Sequence, residues 1–89
     1  MKPSTKEAGL VRLKRLEGQV RGIARMVEDD AYCIDVLTQL QAVSAACDAL
    51  GLLLLDDHVR TCLVDAVGRS DEEAKMVELT AAIRRFARR

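Results

Sequence analysis

Aromatic residues are almost missing from this chain: it has no tryptophan, and Tyr32 and Phe86 stand alone among 89 residues. A core must then come from Leu, Val, Ile and Ala. Proline occurs once, at Pro3, so no proline breaks a helix beyond the first residues. Histidine also occurs once, as His58, too few for a metal site built mainly on imidazoles. The three cysteines are an odd number, which argues against a secreted disulfide framework and suits a reducing cytosol. No uninterrupted apolar run nears the roughly 18 residues of a membrane span. The longest covers the seven residues 49–55 and contains Gly51, so no membrane partner is expected. The opening Met-Lys-Pro-Ser-Thr-Lys-Glu lacks the apolar stretch of a signal peptide.

What is present is aliphatic: 49% of residues are hydrophobic. That is more than three short helices hide among themselves, and a chain this small buries only about 60% of its unfolded surface. Surplus aliphatic surface points to burial between subunits. The formal net charge is zero, yet residues 1–25 carry seven basic and two acidic groups, and residues 26–73 carry two basic and eleven acidic groups. Residues 74–89 return to five basic and one acidic. A basic start and a basic tail therefore flank an acidic middle and offer a surface for an anionic partner.

Leu10, Leu13, Leu16, Val20, Ile23 and Val27 recur at steps of three and four, predicting a helix over about 6–28. The acidic cluster Glu28–Asp30 ends it and is placed to cap the next helix. A long second helix is predicted over about 31–66, with Gly68 closing it. Ser70 with Glu73 forms a capping box for a third helix over about 71–87, packed through Val77, Thr80, Ile83 and Phe86 or Ala87. There is no strand signal and no repeat. The expectation is one all-α domain over residues 1–89, a three-helix protomer with a long central helix.

Helix 2 carries the chemistry. At about 100° per residue, Cys33, Leu37, Leu40, Ser44, Cys47, Gly51, Leu54, His58 and Cys62 share one stripe. Cys33 lies roughly 37 Å from His58 on a continuous helix, so one protomer cannot close these donors around one ion. Two antiparallel copies can, which predicts a site shared between protomers. The twofold axis then falls between Ala46 and Cys47, with Cys47 beside its own mate, and small Ser44, Cys47 and Gly51 admit a partner helix. Two thiolates and one imidazole favour Cu(I), whereas Zn(II) normally takes a fourth ligand and octahedral Ni(II) or Co(II) needs more nitrogen and oxygen donors.

On helix 1, Lys14, Arg21 and Arg25 fall within about 40° of one another, beside Gly18 and Gly22, while Arg12 and Arg15 flank the apolar stripe. Glycines on a charged face let a phosphate backbone come close. No helix-turn-helix signature is present. DNA binding here would rest on phosphate contacts and groove shape, presented by the doubled surface of an oligomer.

With Tyr32-Cys33, Asp57-His58-Val-Arg-Thr-Cys62 and the segment Arg12-Leu-Lys-Arg-Leu-Glu-Gly-Gln-Val-Arg-Gly-Ile-Ala-Arg25, the chain resembles the copper-sensing operon repressor (CsoR) family over about residues 10–86. The resemblance implies an antiparallel dimer that assembles as a dimer of dimers. It implies one Cu(I) per protomer, held by Cys33 of one protomer with His58 and Cys62 of the other. It also implies that Tyr32 and Glu78 form a hydrogen-bond network reaching the ligand imidazole, and that metal-free protein binds operator DNA and copper releases it. Two features depart from the family pattern: no basic residue stands between 26 and 59, and Cys47 has no counterpart. Nickel and cobalt relatives use additional histidines, formaldehyde sensors lack the second cysteine, and persulfide sensors lack the histidine.

The expected function is thus a cytosolic Cu(I)-responsive repressor, not an enzyme, since no base–nucleophile set exists outside the metal-type ligands. The alternative is a thiol-based switch in which Cys33 and the mate's Cys62 form a disulfide or polysulfide.

Overall fold

The computed structural model describes residues 1–63 and 72–87, and for residues 62, 63 and 87 the backbone only. Three α-helices run in order: α1 over Pro3–Glu28, α2 over Cys33–His58 and α3 over Glu72–Ala87, with a π-helical turn over Val59–Leu63 continuing α2. The expected closure at Gly68, the cap at Ser70 and the end of helix 2 at residue 66 lie outside the described residues.

α1 begins earlier than its apolar periodicity indicated. Pro3 occupies the first turn, where a missing N–H costs nothing, and Lys2 precedes it with extended φ −64° and ψ 145°. Its end is a Schellman motif: the Asp30 N–H donates to Val27 O (3.2 Å) and the Ala31 N–H to Met26 O (2.9 Å). Asp30 is left-handed at φ 55°. The acidic cluster thus terminates α1 but does not cap α2, whose first turn follows Tyr32 with no side-chain cap bond. The free Tyr32 carbonyl instead accepts from the Asp35 and Val36 amides at 3.0 and 3.2 Å.

α1 and α2 pack as a hairpin. Gly9 and Leu16 of α1 are buried, with Thr5, Ala8, Gln19, Ile23 and Met26 half-buried around them. Leu10, Leu13, Val20 and Val27 stay exposed. Of the apolar stripe read from the sequence, only Leu16 and Ile23 turn inward: the apolar arc of α1 is wider than one helix covers, and α2 takes its flank. From α2 the inward line is Val43, Leu50 and Asp57, with Leu50 and Asp57 buried. On α3 the expected face is corrected in part, since Phe86 turns inward as expected and the other three do not. Val77, Thr80 and Ile83 are exposed, whereas Leu79 is buried and Lys75, Ala82 and Phe86 are half-buried.

Phe86 explains the shift. Its ring lies against Gly51, where a β-carbon would overlap Cε2 and Cζ. The missing side chain at Gly51 thus makes room for α3 of the same chain, not for a partner helix as expected.

Much apolar surface is left over. Among the described residues only Leu16, Leu50 and Leu79 are buried hydrophobic side chains, and none is fully enclosed. The radius of gyration is 17.4 Å, against about 12 Å for a compact chain of this length. Extents of 57 × 28 × 13 Å describe a slab one helix thick. The stretch Cys33–Thr61 is even long and apolar enough, by length and composition, to cross a membrane, although only 6% of its most apolar window is buried. Counting unbroken runs had hidden this, because Ala, Cys and Gly keep the average high between the leucines. The core helix of an assembly has the same composition.

Candidate functional site

Cys33 opens α2 and His58 closes it, with unbroken α-helix between them. The Cys33 thiol is free and exposed, and Ile34, Leu37 and Leu40 beside it are exposed too. His58 is half-buried at the other end. Helix geometry sets these two about 37 Å apart, as the sequence required. Among the described residues no three His, Cys, Asp or Glu side chains converge within the protomer.

Immediately after His58 the backbone widens into the π-helical turn Val59–Leu63, which carries Cys62; the Cys62 side chain lies outside the described residues. An uninterrupted α-helix was expected here. Such wide turns occur often at functional sites, because they re-aim the side chains that leave the helix. Thr61 Oγ1 donates to the Asp57 carbonyl (2.8 Å), and Arg60 Nε pairs with Asp56 Oδ2 (3.1 Å), so polar bonds brace the turn.

His58 lines an open cavity of about 430 Å³ between α2 and α3. Gly51, Leu54 and Phe86 form its apolar side, and Glu78, Arg85 and Met1 bring polar or soft groups to it. Glu78 therefore lies on the same cavity as the imidazole, where its Oε2 sits 3.7 Å from Lys75 Nζ. Tyr32 is 69% exposed beside Cys33, at the opposite end of the helix from Glu78. Within one protomer Glu78 shares the His58 cavity, while Tyr32 stays with Cys33.

Asp57 is the residue that the sequence did not single out. It is only 5% exposed and is the buried charged residue of the described chain. Its Oδ1 accepts from Thr5 Oγ1 (2.8 Å) and from the Lys2 backbone N–H (3.2 Å). α1 has no side-chain cap of its own and no acid in its first turn. Asp57 supplies both from another helix, placing negative charge at the positive end of the α1 dipole. Burial pushes its carboxyl pKa up, but the Thr5 and Lys2 bonds and the positive charges of the N-terminus and Lys2 outweigh that and hold it below 3.8. With a depressed folded value, the stabilisation is complete above 3.8 and is lost as pH falls through that lower value. The available signal was an acid on the inward line Val43–Leu50–Asp57.

The five basic residues expected to face DNA are all exposed on α1. Arg12 and Arg15 edge a narrow cleft over Ala46 of α2. Lys14, Arg21 and Arg25 project from the outer face, and Arg21 Nη1 is 2.7 Å from Glu17 Oε1. Among the described residues, a β-carbon at Gly22 would meet nothing within 4 Å, and one at Gly18 only the tip of Arg21, so neither glycine serves packing between them.

A long antiparallel helical hairpin with soft donors at both ends of α2 and bases along α1 describes a metal-linked DNA-binding protein. Residues 5–85 match the profile of the metal-sensitive transcriptional repressors, and the chain belongs to that family. It is similar to the copper-sensing transcriptional repressor RicR of Mycobacterium tuberculosis, 53% identical over 79 residues, covering 86% of this chain and 82% of that protein. Similarity to the copper-sensing repressor CsoR of Bacillus subtilis is 48% over 77 residues, covering 86% and 76%. Among solved structures it superposes on the copper-sensing repressor CsoR with Cu(I) from Geobacillus thermodenitrificans, with TM-score 0.90, 41% identity and coverage of 98% and 91%. It also superposes on the nickel-responsive regulator InrS, with TM-score 0.78, 38% identity and 90% coverage of each chain. One scaffold thus serves regulators named for different metals, and the donors have to tell them apart.

Proposed function

We propose that this chain, as a single domain, is a Cu(I)-responsive repressor: metal-free, it binds operator DNA in the cytosol, and Cu(I) releases it. The observation that carries the reading is the unbroken α2, which keeps exposed Cys33 a helix length from His58 and the turn bearing Cys62. A second copy lying antiparallel would complete the set, with Cys33 from one protomer and His58 and Cys62 from the other. The bare stripe of Cys33, Leu37, Leu40, Ser44 and Cys47 supports that pairing, since Leu37 and Leu40, each about half exposed, forgo on the order of 1 kcal/mol apiece in water.

The donors fit copper. Two thiolates and one imidazole are the soft, low-coordination set Cu(I) prefers, and a chain with one histidine is poor in the donors Ni(II) takes. When bound, Cu(I) supplies a tie between donors of two chains, one per protomer. Glu78, on the same cavity as His58, would fix the imidazole's orientation once the partner's end of α2 brought Tyr32 there. Arg12, Lys14, Arg15, Arg21 and Arg25, doubled by dimerisation and doubled again in a dimer of dimers, would meet the phosphates. Operator affinity would then fall steeply with salt.

The test is an anaerobic Cu(I) titration, under a competing chelator, of protein bound to labelled operator. Release complete by one equivalent per protomer is expected, and DNA that stays bound overturns the reading. Replacing His58 by Ala should abolish the copper response. Release by oxidants or polysulfide that persists in that variant, without any copper response in the parent, would instead mark the thiol switch.

A further inference from the structure

The last α-helical turn of α2 has two arms that leave it in different directions. His58 faces the cavity under α3, while Asp57, one residue earlier and about 100° around the helix, is buried against the start of α1. We infer that Asp57 is a positioning residue. Its bonds to Thr5 Oγ1 and the Lys2 N–H latch the metal-ligand turn to the helix that carries the basic face. This inference deepens the copper-responsive reading above and rests on it.

Three observations support a latch rather than an ordinary cap. The contact joins residues 52 and 55 positions apart in sequence, so it ties two elements together instead of closing one helix on itself. Its acceptor is buried, so water does not readily take over the two bonds when they are strained. And the backbone next to it departs from α-helical geometry, because the π-helical turn begins at Val59. A pull on His58 toward a partner's thiolate therefore moves a turn whose other side chain holds the first turn of α1. Asp57, buried and doubly bonded, does not slide in its seat without breaking a bond to a charged acceptor. Displacement at the metal site is passed to α1 as a shift or fraying of residues 2–6, upstream of Arg12, Lys14 and Arg15.

Thr5 tests this without touching a metal ligand or a basic residue. Thr5→Val keeps the shape and removes the donor, and Thr5→Ser restores it. Operator affinity is measured with and without Cu(I), alongside Cu(I) affinity and thermal midpoint. For Thr5→Val, copper affinity without DNA and metal-free operator affinity should stay near the parent's, while the copper-induced weakening of DNA binding shrinks about fivefold or more. Thr5→Ser should regain the parent's ratio. An unchanged ratio in Thr5→Val overturns the latch and leaves the function intact.

A second measurement needs neither DNA nor a folded variant. The Lys6 amide closes the first turn of α1 on Lys2 O at 3.0 Å. Its hydrogen exchange in the parent protein, followed by NMR, should change about fivefold or more on Cu(I) loading, and unaltered exchange overturns the latch. If the parent keeps its DNA with copper bound, the functional reading falls, and Lys6 exchange alone then decides whether the turn and α1 are coupled.

Discussion

Asp30 and Gly51 show how single residues set this fold. Asp30 holds a left-handed backbone at φ 55° so that α1 ends in two paired carbonyls. An L-residue carries strain there that glycine avoids, though Asp tolerates it better than most. Asp30→Gly should raise unfolding stability by about 0.5–1 kcal/mol and Asp30→Val should lower it by about 1–2 kcal/mol, both read from denaturant midpoints. Gly51 lies under the Phe86 ring. Gly51→Ala should cost about 1–3 kcal/mol through overpacking and detach α3, visible as lost helicity; a neutral substitution would contradict the docking. The proposed metal donors stand out in the sequence because Cys and His are rare here and their stripe follows from helix geometry alone. Asp57 does not. An acid at a helix end reads as solvated until a second helix is seen to bring two donors to it.

At the scale of elements, the order and kind of helices could be read from the sequence, while the faces could not. Periodicity shows that Leu10, Leu13, Val20 and Val27 of α1 are apolar, but not that α2 packs beside them and leaves them exposed. On α3 the stripe through Val77, Thr80 and Ile83 was as regular as the one through Leu79 and Ala82, both lead to Phe86, and the gap at Gly51 that receives its ring decides between them. The π-helical turn after His58 has no sequence signature of this kind, since Val59–Leu63 reads as ordinary helix. The stripe from Cys33 to Cys47 makes the sharpest claim. Leu40 is 47% exposed in the protomer, so Leu40→Glu should leave the hairpin folded. If that stripe meets a second copy, the same change buries an unpaired charge and should shift sedimentation to the monomer, with Cu(I) binding lost. A variant of unchanged mass and copper affinity would place the contact elsewhere.

The whole molecule is a thin slab with apolar surface on both helices of its hairpin, with basic side chains along α1 and acidic ones along α2. Composition had announced the surplus of aliphatic side chains, and the shape shows where it lies. The proposed pairing has to be tested between chains. Two defective proteins do this: Cys33→Ala, and the double variant His58→Ala with Cys62→Ala. Neither alone should bind Cu(I) tightly. Unfolded together and refolded, they form mixed dimers in which one site has all three donors and the other has none. Competition with a chelator should then recover tight binding of one Cu(I) per mixed dimer. If the mixture binds no more copper than its separate components, each protomer keeps its own donors and the shared site does not exist.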